Sequence, residues 1–559
     1  MRAPSTHASA EFYEMVATAP TKSVQTFARA AAAPAPDLAH FRRRYPETVA
    51  SLGALPQREA WLRRIWELET AWRSDWETRG GAHREEEAVV FGPPPAGREA
   101  EGEFDAVYAG GAAALLHAAA LACGHERRVL VVGGARAEGE PGGVWNLSED
   151  ELKELESASV FTREEVEGAV LNRYRGGFVK FHDAASRVKA GPLWVTGALD
   201  VAVDGERLTA LAAGRLSRLA PKGSAVAREL RFVRAYVEPR RVTVEVEGVG
   251  GARRFFAASL FVDASGADSP VARQLNGGRG AAARVRPSVG TVARGFVRGE
   301  GSDEADFRAG EILVSTEDAS AHRQLLWEGF AGAPARGDYA TRLFFQDTTD
   351  SPADKSLLAL FERYFESLPA YKRRGAGWRV ERPVFDYAHA PRGGWRTRRR
   401  AACDRVLLVG DAGLGAFAPG ARGACACVGE LRRLARETDA ALAPGALDAG
   451  ALSAVCDGGS ARVAAALGLA EFMRPAAKGA PHAVNETLNA LAAALGGLDE
   501  GERREVFRGR MTTGALRRLL ARTARLYPRI FARVREHFGA RGTLCWLAGL
   551  AEAAWKERK

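Results

Sequence analysis

Apolar and polar positions alternate along this chain with three different periods, and each period marks out a region. Between residues 104 and 132 the pattern is an apolar run (FDAVYA), a glycine pair (Gly110, Gly111), twelve residues without proline (AAALLHAAALAC) and a second apolar run (RVLVV). Unbroken apolar runs bounded by turn residues predict buried parallel strands, here Phe104–Ala109 and Arg128–Val132. With the helix between them they form the opening βαβ of a dinucleotide-binding fold. Upstream, Trp61, Ile65, Leu68, Trp72 and Trp76 recur at spacings of three and four, which predicts an amphipathic helix. Strict alternation in RVTVEVE places antiparallel strands within Leu230–Val262. Three aromatic-rich stretches, SVGTVARGFV, RQLLWEGFAG and YATRLFFQD, read as strands of a mixed or antiparallel sheet, and LLALFERYFESL reads as an amphipathic helix beside them. The run RVLLVGDAG is a buried strand that stops at Gly410-Asp411, passes into a Gly/Pro loop and opens a helix near Gly423.

These elements divide the chain. Residues 1–36, rich in Ala, Ser, Thr and Pro, read as a transit peptide or a disordered tail, and 37–100 as a helical extension ending in the linker FGPPPAG. Residues 101–280 and 401–445 form two parts of the nucleotide domain, 281–400 a sheet domain between them, and 446–559 a basic helical region. Ser148 and Glu151 make an S-x-x-E capping box that starts a charged helix.

The chemistry of the first stretch follows from its small residues. A pyrophosphate is held by backbone N–H groups at the positive end of a helix, and the backbone can approach it only where side chains are small. Gly110, Gly111 and the alanines through Ala114 meet that need. Set against G-x-G-x-x-G, with Gly111 central, the outer positions become Ala109 and Ala114, and the strand end that ordinarily carries a ribose-binding carboxylate has Gly133. Asp263 to Gly266 (Asp-Ala-Ser-Gly) marks a second strand end returning to the nucleotide domain.

Length and composition refine this picture. The 559 residues, 46% apolar and 26% charged, exclude a disordered chain and allow two or three domains. A net charge of +10 suits an anionic membrane surface or nucleic acid, but no nucleic-acid reading motif accompanies it. Twelve arginines interleave with Leu519, Leu520, Leu526, Ile530 and Phe531 between Glu502 and Arg541, the composition of a peripheral membrane helix or of a solvated basic face. Cysteines 123, 403, 425, 427, 456 and 545 include no C-x-x-C pair, so buried free thiols and no metal site are expected. His117, inside the apolar helix, is expected to be a packed core histidine.

A strand ending in Gly410-Asp411-Ala412, followed by a Gly/Pro loop and a helix, resembles the second FAD fingerprint of the flavin hydroxylase and geranylgeranyl-reductase group. More narrowly, DAVYAGGAAALLHAA, WNLS, DASGADSPVARQLNGG, RQLLWEGFAG and RVLLVGDAG resemble the CruA/CruP-type lycopene cyclases, nearest the CruP branch, over roughly residues 40–545. The resemblance implies an α/β fold: a Rossmann-like FAD-binding domain, an inserted mixed or antiparallel sheet domain for substrate, and helical N- and C-terminal regions. It also implies FAD, reduced by NADPH, held by Gly110, Gly111, Ala114, Asp263, Gly266, Gly410, Asp411 and Gly423. The substrate would be a lycopene-like carotenoid, at the thylakoid or envelope membrane of a chloroplast. Cyclisation is net-neutral: a terminal double bond is protonated, the ring closes through a carbocation, and a proton leaves. The candidate acid is Glu328, beside Trp327 and Phe330, whose apolar surroundings would favour the neutral carboxyl; its alternative is a solvent-facing strand end. Trp145 is a candidate for the cofactor or substrate entrance, or a core residue. Two other readings share the fold: a flavin monooxygenase or reductase acting on a carotenoid or isoprenoid, and a non-catalytic paralogue.

Overall fold

The computed structural model describes residues 35–78, 87–133, 143–219, 222–266, 269–276, 283–391, 400–414, 427–443, 445–456, 468–476 and 479–557. Five parallel strands make the first layer, in the order Ala225–Ala227, Val129–Val132, Glu103–Gly110, Arg253–Ala264, Val406–Leu408. Their apolar runs are continuous because both faces are covered. Helix Ala112–His125 lies on one face, flanked by helices Gly205–Arg218 and Leu431–Leu442. It is apolar nearly all round, and Ala113 through Ala122 are all buried. The long strand Arg253–Ala264 serves two assemblies: its first half pairs antiparallel with Val242–Glu247, its second half parallel with Val406–Leu408. Val89–Phe91, Arg231–Val237 and Val242–Glu247 extend the sheet from that first half.

A second sheet runs Asp347–Thr348, Ala283–Phe296, Tyr339–Phe344, Leu326–Ala331, Gly310–Val314, Gly177–Lys180, Leu193–Val195, and Arg374–Pro391 also pairs with Ala283–Phe296. Two of these strands, Gly177–Lys180 and Leu193–Val195, lie inside the segment 101–280 that the sequence assigns to the nucleotide domain. The second domain therefore borrows strands from the first segment. Parallel pairing of Gly177–Lys180 with Gly310–Val314 spans well over a hundred residues, a partnership that local pattern does not encode. A small third sheet joins Val144–Leu147, Val201–Asp204 and Val170–Arg173.

Helix Leu357–Tyr371 covers one face of the second sheet. Tyr364 Oη lies 2.6 Å from both the Thr291 and Thr341 hydroxyls, and Trp327 stacks on Tyr371 with centroids 4.4 Å apart. The Trp-bearing N-terminal helix, Arg58–Thr78, docks on the start of this helix. Glu69, 5% exposed, accepts hydrogen bonds from Ser356 Oγ (2.8 Å) and Leu358 N (3.3 Å), so its carboxylate sits at the positive helix end, and Trp72 stacks on Tyr387 at 4.5 Å. In return Glu362 accepts from the backbone N–H groups of Glu47 and Thr48, both at 2.9 Å, at the start of helix Pro46–Ser51. The N-terminal segment and the covering helix thus cap each other, through the buried Glu69 and the half-buried Glu362. Glu69→Ala leaves Ser356 Oγ and Leu358 N without this acceptor and is expected to lower stability by about 1–3 kcal/mol, read from urea unfolding. Unchanged unfolding would show that the extension adds nothing to the main body.

Helices Ala483–Gly496, Glu500–Phe507, Thr513–Leu526 and Ile530–Glu557 close the chain. Asn485 ties them to the second sheet: its Nδ2 donates to Glu317 O (2.9 Å) and Asp318 Oδ1 (2.8 Å).

Candidate functional site

The carboxyl ends of the parallel strands share one edge, which is where ligands bind in open α/β sheets. Gly110 ends its strand with φ +135°, and a Cβ there would stand 2.3 Å from Ala264 O. The tight turn is therefore at Gly110, and the fingerprint starts one residue later than the sequence register proposed. Its three positions are Gly110, Ala112 and Leu115, not Ala109, Gly111 and Ala114. Leu115 and Ala114 are both buried in the helix–sheet core, so Ala114 contributes packing and not a contact at the edge. Gly111 precedes the helix as its N-terminal boundary residue, and among the described residues a Cβ there would meet nothing within 4 Å. That opening stands at the start of a 14-residue helix. Gly133, at φ +79°, follows strand Val129–Val132 and offers no side chain to a ribose.

Asp263 behaves differently from its expected role. It is 1% exposed; Oδ1 accepts from Ser265 N (2.9 Å) and Oδ2 from the Ser269 hydroxyl, which in turn caps helix Pro270–Leu275 by accepting from Ala272 N (3.1 Å). Both carboxylate oxygens fasten their own loop, and burial raises the carboxyl above its usual range. Gly266, at φ +95°, turns that loop, and its carbonyl accepts from Ser269 N at 3.1 Å. Gly410 (φ +65°) and Asp411 follow strand Val406–Leu408, and Val409 N donates to Asp263 O at 2.9 Å, which draws this strand end beside the others. Gly423 lies outside the described residues.

The candidates of the second sheet separate by strand geometry. Successive side chains point to opposite faces, so Trp327 and Glu328 do not share a pocket. Trp327, 1% exposed, lies under helix Leu357–Tyr371 against Tyr364 and Tyr371. Glu328, 4% exposed, is on the opposite face, directly across from Arg342 of the next strand. It is buried, not at a solvent-facing strand end. Phe330 shares that face but packs on Tyr174, 6.0 Å between centroids. The register also puts Arg284, Arg286, Ser288 and Asp386 on the Glu328 face. Arg342 is buried and 3.9 Å from Asp386, and desolvation lowers its pKa from the ordinary guanidinium value. This face is charged where the sequence suggested an apolar environment. The arginines escaped notice because their convergence is a matter of cross-strand register.

Trp145 is a core residue: it is buried in the small sheet, and a Cβ on Gly205 would stand 2.3 Å from its indole ring. His117 is also packed, edge-on to Tyr108 at 5.6 Å, and burial pushes its pKa down to about 4, so it is neutral near pH 7. Burial and neighbouring acidic groups, Asp411 among them, push the Cys427 thiol up to about 12. A thiol held there stays protonated near neutral pH, which speaks against a nucleophilic role. Among the described residues, no cluster of three or more His, Cys, Asp or Glu is placed to hold a metal.

Solved structures align over most of this architecture. The flavin-dependent brominase Bmp2 superposes with a TM-score of 0.52 at 13% identity, covering 77% of this chain and 99% of its own. A variant of the halogenase PltM, solved in complex with FAD, gives 0.51 at 14% identity over 81% of this chain and 96% of its own. The chain has a flavoprotein fold. A geranylgeranyl bacteriochlorophyll reductase-like protein from Thermoplasma acidophilum aligns over 78% of this chain and 99% of its own, at 14% identity and a TM-score of 0.47. No family model and no curated protein matches the chain.

Within this flavoprotein fold, the strand-end turn passes one test and fails another. The open space over Gly111 and the helix start at Ala112 fit a dinucleotide pyrophosphate. The ribose contact that a carboxylate ordinarily makes has no side chain at Gly133 to make it.

Proposed function

We propose that this protein is an FAD-dependent enzyme acting on a carotenoid or related isoprenoid, in the manner of a lycopene cyclase. The observation that carries the reading is the Gly110–Gly111 turn, which presents a helix N-terminus at the shared carboxyl edge of the parallel strands. Backbone N–H groups of Gly111, Ala112 and Ala113 would hold the pyrophosphate, and the Gly410-Asp411 strand end would adjoin the flavin. When bound and reduced, for which NADPH is the expected donor, a flavin would supply electron density or a proton to the reacting polyene. Glu328 would give its proton to a terminal double bond, Arg342 directly across the strand would stabilise the carboxylate left behind, and Asp386 on the same face would place negative charge near the ring cation and take up the proton it loses.

The experiment is a flavin titration. The purified protein is expected to release FAD on heating, at about one per chain. Ala112→Glu puts a carboxylate in the first helical turn, where it favours the helix dipole but repels a pyrophosphate. The variant is expected to bind FAD about tenfold or more weakly, with its melting temperature measured alongside because Ala112 is half-buried against the core. Equal FAD binding by both proteins would remove the turn from the cofactor site. With flavin present, Glu328→Gln is expected to abolish ring formation on lycopene.

A second reading has its own support. Buried Arg342, on one face with Arg284 and Arg286, suits a substrate with an anionic end, as in a flavin monooxygenase or reductase. Product-linked consumption of NADPH or oxygen would favour it over net-neutral cyclisation.

A further inference from the structure

Soluble chains scatter their exposed apolar side chains, but here they gather at one end. Of the nine large apolar residues that stand exposed among the described residues, Leu526, Phe531, Leu544, Leu547 and Trp555 belong to the last two helices. Gly539, at φ +65° and ψ 173°, breaks the final helix, and the part beyond it carries two unlike faces. One face is anchored: Trp546 and Leu550 are buried, and Trp546 meets Phe472 at 6.4 Å and Phe538 at 5.8 Å. The other presents Leu544 (69% exposed), Leu547, Ala551 and Trp555 (63% exposed), spaced three, four and four residues apart, as a single outward stripe. The usual amphipathic order is reversed, since this face is both apolar and open.

Each exposed apolar residue in the first part of this region has an arginine one helical turn away. Arg522 precedes Leu526 by four residues, Arg535 follows Phe531 by four, and Arg541 precedes Leu544 by three. Among the described residues these three arginines make no ion pair, whereas Arg518 and Arg533 are held by Glu502 and Glu536. No helix among the described residues is long and apolar enough to cross a membrane.

We propose that the helices Thr513–Leu526 and Ile530–Glu557 dock this protein on an anionic lipid surface, with the Leu544–Leu547–Trp555 stripe entering the acyl boundary and Arg522, Arg535 and Arg541 meeting lipid phosphates. Apolar side chains at the depth of the headgroups with guanidinium groups above them is the arrangement an interfacial helix uses. A second copy of the chain fits less well, because a two-fold contact through this stripe brings the same arginines toward each other. The basic stretch read from sequence ended at Arg541; Leu526 and Phe531 within it are exposed, and the apolar surface continues beyond it through Leu544, Leu547 and Trp555. Docking here stands apart from the cofactor reading and does not depend on it.

The test is flotation of the full-length protein with two kinds of vesicle, phosphatidylcholine alone and an equal mixture of phosphatidylcholine and phosphatidylglycerol. The protein is expected to float with the mixed vesicles and to detach as salt is raised. Leu544→Glu/Leu547→Glu is expected to weaken binding about a hundredfold. Arg522→Gln/Arg535→Gln/Arg541→Gln is expected to weaken it tenfold or more on mixed vesicles and to reduce the salt dependence. The arginine variant alters no buried residue, so it reads the proposal even if the leucine variant fails to fold. The proposal is overturned if the wild-type protein does not float with mixed vesicles, if it floats equally with both kinds, or if both variants float like wild type. A concentration-dependent dimer that Leu544→Glu/Leu547→Glu dissolves would assign the stripe to self-association and overturn it too.

Discussion

Lys372→Met is expected to cost this protein about 3–5 kcal/mol of stability, because it leaves a carboxylate buried without its counter-charge. Lys372 is 1% exposed and Glu311 6% exposed; Lys372 Nζ lies 2.5 Å from Glu311 Oε1, donates to Glu304 O at 2.8 Å and sits 4.9 Å from the centre of the Tyr371 ring. Burial is the main influence on Glu311 and holds its carboxyl above the ordinary value of 4.5, while Lys372 works to lower it. The folded protein therefore holds this proton more tightly than the unfolded chain does. Stability from this group is present at acid pH and declines as pH rises past the unfolded carboxylate value. Without Lys372 the carboxyl rises further and the decline extends to higher pH. The deficit of the variant relative to wild type should be small in acid and grow toward neutrality, as melting temperatures across pH would record. Glu311→Gln/Lys372→Met should recover most of the loss; a double variant no better than the single would show that the cost is one of packing.

Gly110→Val is expected to be the most damaging change in the nucleotide domain. A left-handed φ disfavours any side chain, at about 1–3 kcal/mol, and this one would also have to displace the Ala264 carbonyl, which a Cβ would approach to 2.3 Å. The neighbouring strand cannot yield without losing its register with Glu103–Gly110. Soluble yield and melting temperature should both fall sharply, with or without added FAD. A variant of normal stability that merely lost flavin would overturn this reading of the turn.

The strand–turn–helix–strand opening was legible because apolar runs of that length, broken by glycines, have few other solutions. The capping box at Ser148 and Glu151 was legible for the same local reason, and both its hydrogen bonds are present. What escaped depended on partners distant in sequence. The fingerprint slipped by one residue because both registers put a single glycine into G-x-G-x-x-G, and only the φ of Gly110 against Ala264 chooses between them. Asp263 looked like a ligand residue because its serines, two and six positions on, are hydrogen-bonding partners only once the loop has closed. Glu328 and Trp327 looked like neighbours because they are adjacent in the chain, and strand geometry puts them on opposite sides of the sheet. The charged face around Arg342 needed four strands in register before it existed.

The turn at Gly110 and Gly111 also separates two kinds of evolutionary memory. Gly110 is fixed by the strand beside it, so a descendant that had abandoned nucleotide altogether would still have to keep it. A side chain at 111 would meet no described residue, so a bound partner is what penalises its replacement by a larger one. Among relatives of this chain, a glycine at the first position records common architecture, and a small residue at the second records continued use of the cofactor. Variation confined to position 111 would therefore trace the lineages in which the fold outlived its ligand.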